Sequence, residues 1–186
     1  TKAIKSNLFK KIILIVDNPK KIKKKYGNNV LIIKGGKQRS DSSLIALKAI
    51  KRYSPNNVLI HDAARPDFSI KLLKTLVKEL KINMSVIPVT LPSDSLKYKS
   101  NNQLFNLKKE NSYLTQTPQG FNYKELYNLA IREKNNISDE STLFIDNEKK
   151  LKFIKWKRKN KKITFKDDIT KQKSLLGANA ILAVSL

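Results

Sequence analysis

The residues best suited to chemistry in this sequence stand together in Val58-Leu-Ile-His-Asp-Ala-Ala-Arg-Pro66. Three strand-forming apolar residues run directly into His61 and Asp62, and the chain then turns through Ala63, Ala64, Arg65 and Pro66. A carboxylate at the end of a strand can hold a hard cation through oxygen, and an Arg three residues on can fork onto a phosphate. In open α/β sheets ligands gather at that edge, where strands stop and loops open a crevice. The stretch reads as a metal-assisted phosphate site. The same run can also do no more than cap a helix or close a turn, so the surrounding chain has to decide.

A second stretch, Gly35-Gly-Lys-Gln-Arg-Ser-Asp-Ser42, precedes a helical pattern with Leu44, Leu47 and Ile50 on one side. Paired glycines let backbone come close to a ligand. Ser40, Asp41 or Ser42 is suited to cap the helix while its free N–H donors face a base or phosphate. On these residues alone a structural turn is the plainer alternative.

The elements that must position these groups alternate along the chain. Thr1 to Lys10 fits the last turns of an amphipathic helix. Ile12 to Val16 and Val30 to Ile33 are continuous β-branched and Leu runs, as expected of strands covered on both faces. Ser69 is placed to cap a helix whose buried stripe is Ile70, Leu73, Leu76, Val77 and Leu80. Met84 to Val89 is another strand, in which Pro88 marks an end or a bulge. Pro, Ser, Asn and Lys dominate from Thr90 to Asn111, with apolar islands at 96–98 and 104–107, which predicts a protruding two-stranded arm. Helices are expected around Leu126 to Ile131 and after Ser138, where Asp139 and Glu140 suit a positive helix start. Leu151, Phe153 and Trp156 alternate with Lys as a strand, Ile163-Thr-Phe165 follows, and Asp167-Asp168 opens a closing helix. Strands alternating with helices imply a mostly parallel sheet with helices on both faces.

At 186 residues the chain is one domain with a sizeable core. There is no Cys, no apolar run long enough for a bilayer and no export signal, so a cytoplasmic protein without membrane contact is expected. The net charge of +24 raises the idea of nucleic acid. The Lys is spread over the whole chain, however, and its clusters lack interleaved aromatics apart from Trp156, so solvated faces and no specific nucleic acid are expected. Such a field still favours a phosphorylated substrate.

The motifs, in order, resemble the family of 2-C-methyl-D-erythritol 4-phosphate cytidylyltransferases. They are Gly35 to Ser42, Val58 to Pro66, Pro88-Val89 with Asp94-Ser-Leu-Lys97, Gln116-Thr-Pro-Gln119, Ser138-Asp-Glu140 and Lys162-Ile-Thr164. The resemblance implies a Rossmann-like nucleotidyltransferase domain. It implies that the phosphate of a polyol attacks the α-phosphorus of CTP and releases pyrophosphate, with Mg²⁺ or another divalent cation present. Asp62 matches the family's metal-binding position, and Lys162 a Lys near the reacting phosphates. Gly36, Lys37 through its backbone, and Ser42 match the positions that recognise cytosine and ribose. Ala63, Arg65, Ser95 and Thr117 match contacts to the polyol phosphate, as does Lys109 where the family offers Arg. The arm, about residues 90–111, matches one that embraces a second subunit, so a homodimer is implied.

The sequence also departs from the pattern. Lys109 replaces a planar fork by a point charge. Leu91-Pro-Ser93 resembles an insertion, and Lys159 stands where a second metal ligand would be. Family members begin with a strand and a Gly-rich, Arg- and Lys-bearing loop, and nothing like these precedes Lys11; the expected reading is residues 1–175 as an N-terminally truncated nucleotidyltransferase domain, with the unpaired sheet edge exposed. Residues 176–186 form an uncharged apolar tail that resembles a short enolase segment and is either a fusion or an ordinary terminal helix. The sister activity on ribitol 5-phosphate is the near alternative. A basic nucleic-acid-binding module and a non-catalytic remnant are alternatives of another class.

Overall fold

The computed structural model describes residues 2–22, 26–133, 135, 137–163 and the backbone of 178–184. The strands are β1 (Lys11–Val16), β2 (Val30–Lys34), β3 (Asn57–His61), β4 (Ser85–Thr90), β5 (Leu96–Ser100), β6 (Gln103–Leu107), β7 (Leu114–Thr115), β8 (Gln119–Asn122), β9 (Lys152–Lys155) and β10 (Ala178–Val184). The helices are α1 (Lys2–Lys5), α2 (Arg39–Ile50), α3 (Ile70–Glu79), α4 (Tyr123–Ala130) and α5 (Glu140–Asp146). The main sheet runs in the order β2-β1-β10-β3-β8-β4-β7, with β9 beside β4; β5 and β6 form a separate hairpin. β1, β2, β3, β4 and β9 point one way, and β7, β8 and β10 run against them.

Period-two alternation sends successive side chains of the central strands into opposite cores. Ile13 and Ile15 of β1, Val58 and Ile60 of β3, and Ile87 and Val89 of β4 face one core, covered by Ala46, Leu47 and Ile50 of α2, Leu126 and Leu129 of α4, and Leu143 and Phe144 of α5. Ile12, Leu59 and Val86, one residue out of phase, face the other, covered by α1 and by Leu72, Leu73, Leu76 and Val77 of α3. The result is helices on both faces of one sheet, and it explains why β3 is buried at every position. Ser69 caps α3 as expected, its hydroxyl accepting from the Leu72 N–H at 3.1 Å. Pro88 does not end the strand: it stands inside β4 opposite Ile154 of β9, at the point where pairing on the other side passes from β8 (Ser85, Val86) to β7 (Val89, Thr90).

Three further expectations change. The N-cap of α2 is Gln38, not Ser40, Asp41 or Ser42; the Asp41 carboxylate instead reaches back to accept the Gln38 N–H at 3.0 Å. In β9 the three residues do not share a face: Trp156, three residues on from Phe153, packs with Ile154 on the α3 core, while Phe153 is exposed against Tyr113. The apolar tail is not a terminal helix over 178–184. It is a strand lying between β1 and β3, antiparallel to both. The remainder of the tail, Thr164 to Phe165 and the helix expected from Asp167 lie outside the described residues.

Candidate active site

Asp62 follows the fully buried β3 directly and is itself only 8% exposed. Its N–H donates to the Thr117 hydroxyl at 3.0 Å, and its carbonyl accepts the Arg65 N–H at 3.0 Å, which closes the turn through Ala63 and Ala64. The carboxylate is divided between two cations. Arg39, the first residue of α2, donates from Nε to Oδ1 at 3.1 Å, and Lys162 Nζ stands 3.7 Å from Oδ2. The remaining guanidinium nitrogens of Arg39 fork onto Glu140, at 3.0 Å from Nη1 to Oε1 and 2.8 Å from Nη2 to Oε2. Glu140 begins α5 and is 1% exposed. Burial alone would weaken the charge of Arg39, but Glu140 and then Asp62 outweigh it and raise its pKa above the ordinary value. Arg39 thus ties together the starts of α2 and α5 and the end of β3.

A second set of bonds holds the turn after β3. Arg65 donates from Nη1 to the Asn160 carbonyl at 2.9 Å and from Nη2 to the Thr115 carbonyl at 3.2 Å; burial lowers its pKa. Buried Asn160 donates from Nδ2 to the Thr117 carbonyl at 2.8 Å and to Gln116 Oε1 at 3.2 Å. The Ile163 N–H donates to the Ala64 carbonyl at 2.8 Å. These contacts bring the segment after β9 against the turn, and Lys162 arrives beside Asp62 as a consequence. Its side chain remains half exposed, so the ammonium can meet an incoming anion. Asp139, the N-cap of α5, sits below the usual carboxylate range: burial pushes its pKa up, but donors from Ser141, Thr115 and Gln119 outweigh it. His61 lies against Phe68 with Nδ1 3.2 Å from the Thr117 hydroxyl, and burial pulls its pKa down to about 4.

The glycine pair leads into the same corner. A Cβ at Gly36 would stand 2.3 Å from Asp41 Cβ, and one at Gly35 2.8 Å from Ser42 Oγ and 2.9 Å from Ile15 Cγ2, so neither position has room for a side chain. Ser42 accepts the Gly36 N–H at 3.1 Å and donates to the Gln38 carbonyl at 3.1 Å, shaping the loop from inside. Lys37 is exposed at its tip.

The structure therefore gathers Asp62, Ala63, Arg65, Thr117 and Lys162, and links them through Arg39 to the loop holding Gly36, Lys37 and Ser42. Thr117 is buried under Asp62, its hydroxyl engaged by Asp62 and His61. Ser95 and Lys109 are exposed on the arm, which pairs with itself through Leu96↔Leu107 to Ser100↔Gln103. Arg39, Glu140 and Asn160 were not named as site residues from the sequence. Arg39 lies inside a motif that was noticed, but an acid opening a helix reads as a dipole partner, and nothing local marks Glu140 as its mate. Among the described residues no three His, Cys, Asp or Glu side chains are grouped to hold a metal. One buried carboxylate fits an ion such as Mg²⁺, which typically takes one or two protein carboxylates and completes its shell with substrate phosphates and water.

Known proteins resemble this chain in sequence and fold. A bifunctional enzyme IspD/IspF of Pelagibacter ubique is 48% identical over 165 residues, covering 88% of this chain and 44% of that protein. A 2-C-methyl-D-erythritol 4-phosphate cytidylyltransferase of Caldicellulosiruptor bescii is 30% identical, with 89% and 76% covered. Among solved structures, the 4-diphosphocytidyl-2C-methyl-D-erythritol synthase of Anaerococcus prevotii superposes with a TM-score of 0.82 at 28% identity, covering 91% of this chain and 80% of that one. The chain spans less than half the length of the bifunctional relatives it matches. Residues 2–178 match the family described as IspD: 2-C-methyl-D-erythritol 4-phosphate cytidylyltransferase, and the chain, with its Asp62 corner and its glycine loop at one sheet edge, belongs to that family.

Proposed function

We propose that this domain transfers a cytidylyl group from CTP to 2-C-methyl-D-erythritol 4-phosphate and releases pyrophosphate. The observation that carries the reading is the convergence of Asp62, Lys162 and the Gly35–Ser42 loop at one edge of the sheet. In the reaction an oxygen of the polyol phosphate attacks the α-phosphorus of CTP, and the bond from that phosphorus to the bridging oxygen of the β-phosphate breaks. Two anions must approach in line, so the catalyst's main task is to hold them and to offset charge. Gly36 and the Lys37 backbone take the cytosine and ribose at the loop that Ser42 braces from inside. Asp62 is the protein ligand of a divalent cation carried with the triphosphate. When bound, that ion offsets charge on the phosphate oxygens and orients them. Lys162, half exposed and beside Asp62, places its ammonium at the reacting phosphates.

The polyol phosphate falls to Ala63 and Arg65, with Thr117 acting through the Asp62 that it holds, and to Ser95 and Lys109 of an arm. Those last two are supplied by a second copy. The hairpin leaves Leu104 72% exposed and Phe105 and Leu107 each 45% exposed, an apolar surface suited to a partner chain. The test is pyrophosphate release from CTP and Mg²⁺ by the full chain, with 2-C-methyl-D-erythritol 4-phosphate and ribitol 5-phosphate in competition. Preference for the first polyol is expected, and Asp62→Ala should cut the rate by roughly 10²–10³. Release with neither polyol would sink the reading; an undiminished rate in the variant would remove Asp62 from it.

A further inference from the structure

Four charged groups joined to one another in the Asp62 corner, Asp62, Glu140, Arg39 and Lys162, are connected unequally. Glu140 is 1% exposed and takes both terminal nitrogens of Arg39, at 3.0 and 2.8 Å. Asp62 receives only Nε of Arg39, at 3.1 Å, and the more distant Lys162, at 3.7 Å. A fork onto a carboxylate is the strongest pairing a guanidinium makes, so the charge of Arg39 is met chiefly by Glu140. Asp62 contributes one oxygen to that arrangement, and its other oxygen faces the half-exposed Lys162. Were Glu140 uncharged, Asp62 would be the carboxylate left hydrogen-bonded to the largely buried guanidinium, with Asp139 acting only at longer range, and would be drawn into a full pair with it. The corner would then carry a net positive charge at the place where a cation has to bind.

We infer that Glu140 is a positioning residue: by neutralising Arg39 it keeps the Asp62 carboxylate available to a divalent cation delivered with a nucleoside triphosphate. This rests on the reading of Asp62 as the metal ligand. Its consequence has opposite signs for two forms of one ligand. Losing the Glu140 charge disfavours the cation-bound triphosphate, while it leaves the cation-free and more negative triphosphate bound as tightly or more tightly. A residue that merely held the fold together would weaken both.

The experiment is calorimetric titration of the full chain with CTP, once with Mg²⁺ and once with chelator, which reads the ratio of the two dissociation constants. Glu140→Gln should shrink the advantage given by Mg²⁺ about tenfold, with the chelator value unchanged or improved. Glu140→Asp, which retains the charge on a shorter stem, should keep most of the advantage. The double variant Arg39→Gln with Glu140→Gln removes one charge of each sign and should return the ratio to within about threefold of wild type. It also serves if the single variant does not fold. An unchanged ratio in Glu140→Gln, a parallel loss with and without Mg²⁺, or a double variant still down tenfold would overturn the inference. Asp62→Asn separates it from the reading beneath it. If that variant keeps the full Mg²⁺ advantage, or if the wild-type chain binds no CTP, the metal reading itself falls.

Discussion

The Asp62 corner and the arm are opposite solutions to exposing polar chemistry. In the corner, charges are held by buried partners: Arg39 between Asp62 and Glu140, Asp139 under three donors, and Arg65 on two backbone carbonyls. In the arm, β5 and β6 pair with each other, and every residue of β6 is exposed, the apolar ones included. Two strands alone are marginal in water. The first region draws these partners from one chain. The second has the composition of a surface that is finished by something else. The lesson is that one chain can hold charges by burying their partners in one region and leave apolar and basic side chains on an unsupported hairpin in another.

The contrast can be broken from either side. The largest effect belongs to the buried side: Glu140→Ala removes the carboxylate that pairs both terminal nitrogens of the largely buried Arg39 and should cost ~3–5 kcal/mol of stability, read from urea unfolding. Next comes pH. His61 is the only histidine in the sequence, and burial holds its pKa near 4 against an ordinary value of 6.5. The unfolded chain takes up that proton first on acidification. The stability His61 contributes is therefore fully present above pH 6.5 and is lost as pH falls from 6.5 through about 4, an amount on the order of 3 kcal/mol. His61→Asn should flatten the unfolding midpoint over that window; an unaltered slope would place the acid sensitivity elsewhere.

On the arm side, Leu104→Asp should weaken subunit association at least tenfold in sedimentation, on the order of 1.4 kcal/mol, and leave the melting temperature of the dissociated chain unchanged. A variant that melts early without changing assembly would make the arm part of the fold and end the contrast. The smallest effect is Lys97→Ala. Its ammonium bonds Asn106 across the hairpin in full exposure, and the loss should stay below about 0.5 kcal/mol.

Much of this was open to reading along the chain. Ile12 to Val16 and Val58 to Ile60 are strands because uninterrupted β-branched and Leu runs suit positions covered on both faces, and Ser69 opens a helix because its hydroxyl can take an orphan N–H. Asp62 and Arg65 stood out for the same local reason: polar residues following directly on a buried strand must emerge at its end. The arm was legible as two apolar islands joined by polar residues. Leu151, Phe153 and Trp156 were read as one alternating run, but Trp156 falls with Ile154 on the α3 core, because three residues along a strand reverse the face.

What the order of residues determined by itself, then, was which segments become strands and helices and which groups stand at their ends, since period and capping act over a few residues. The tertiary structure alone decided that Arg39 meets Glu140 across 101 positions, that Asn160 carries Lys162 to Asp62, and that the uncharged tail lies between β1 and β3. Such pairings depend on how sheet order and helix packing bring distant ends together. A buried ion pair has no period, and neither of its members differs in sequence from a charge in water.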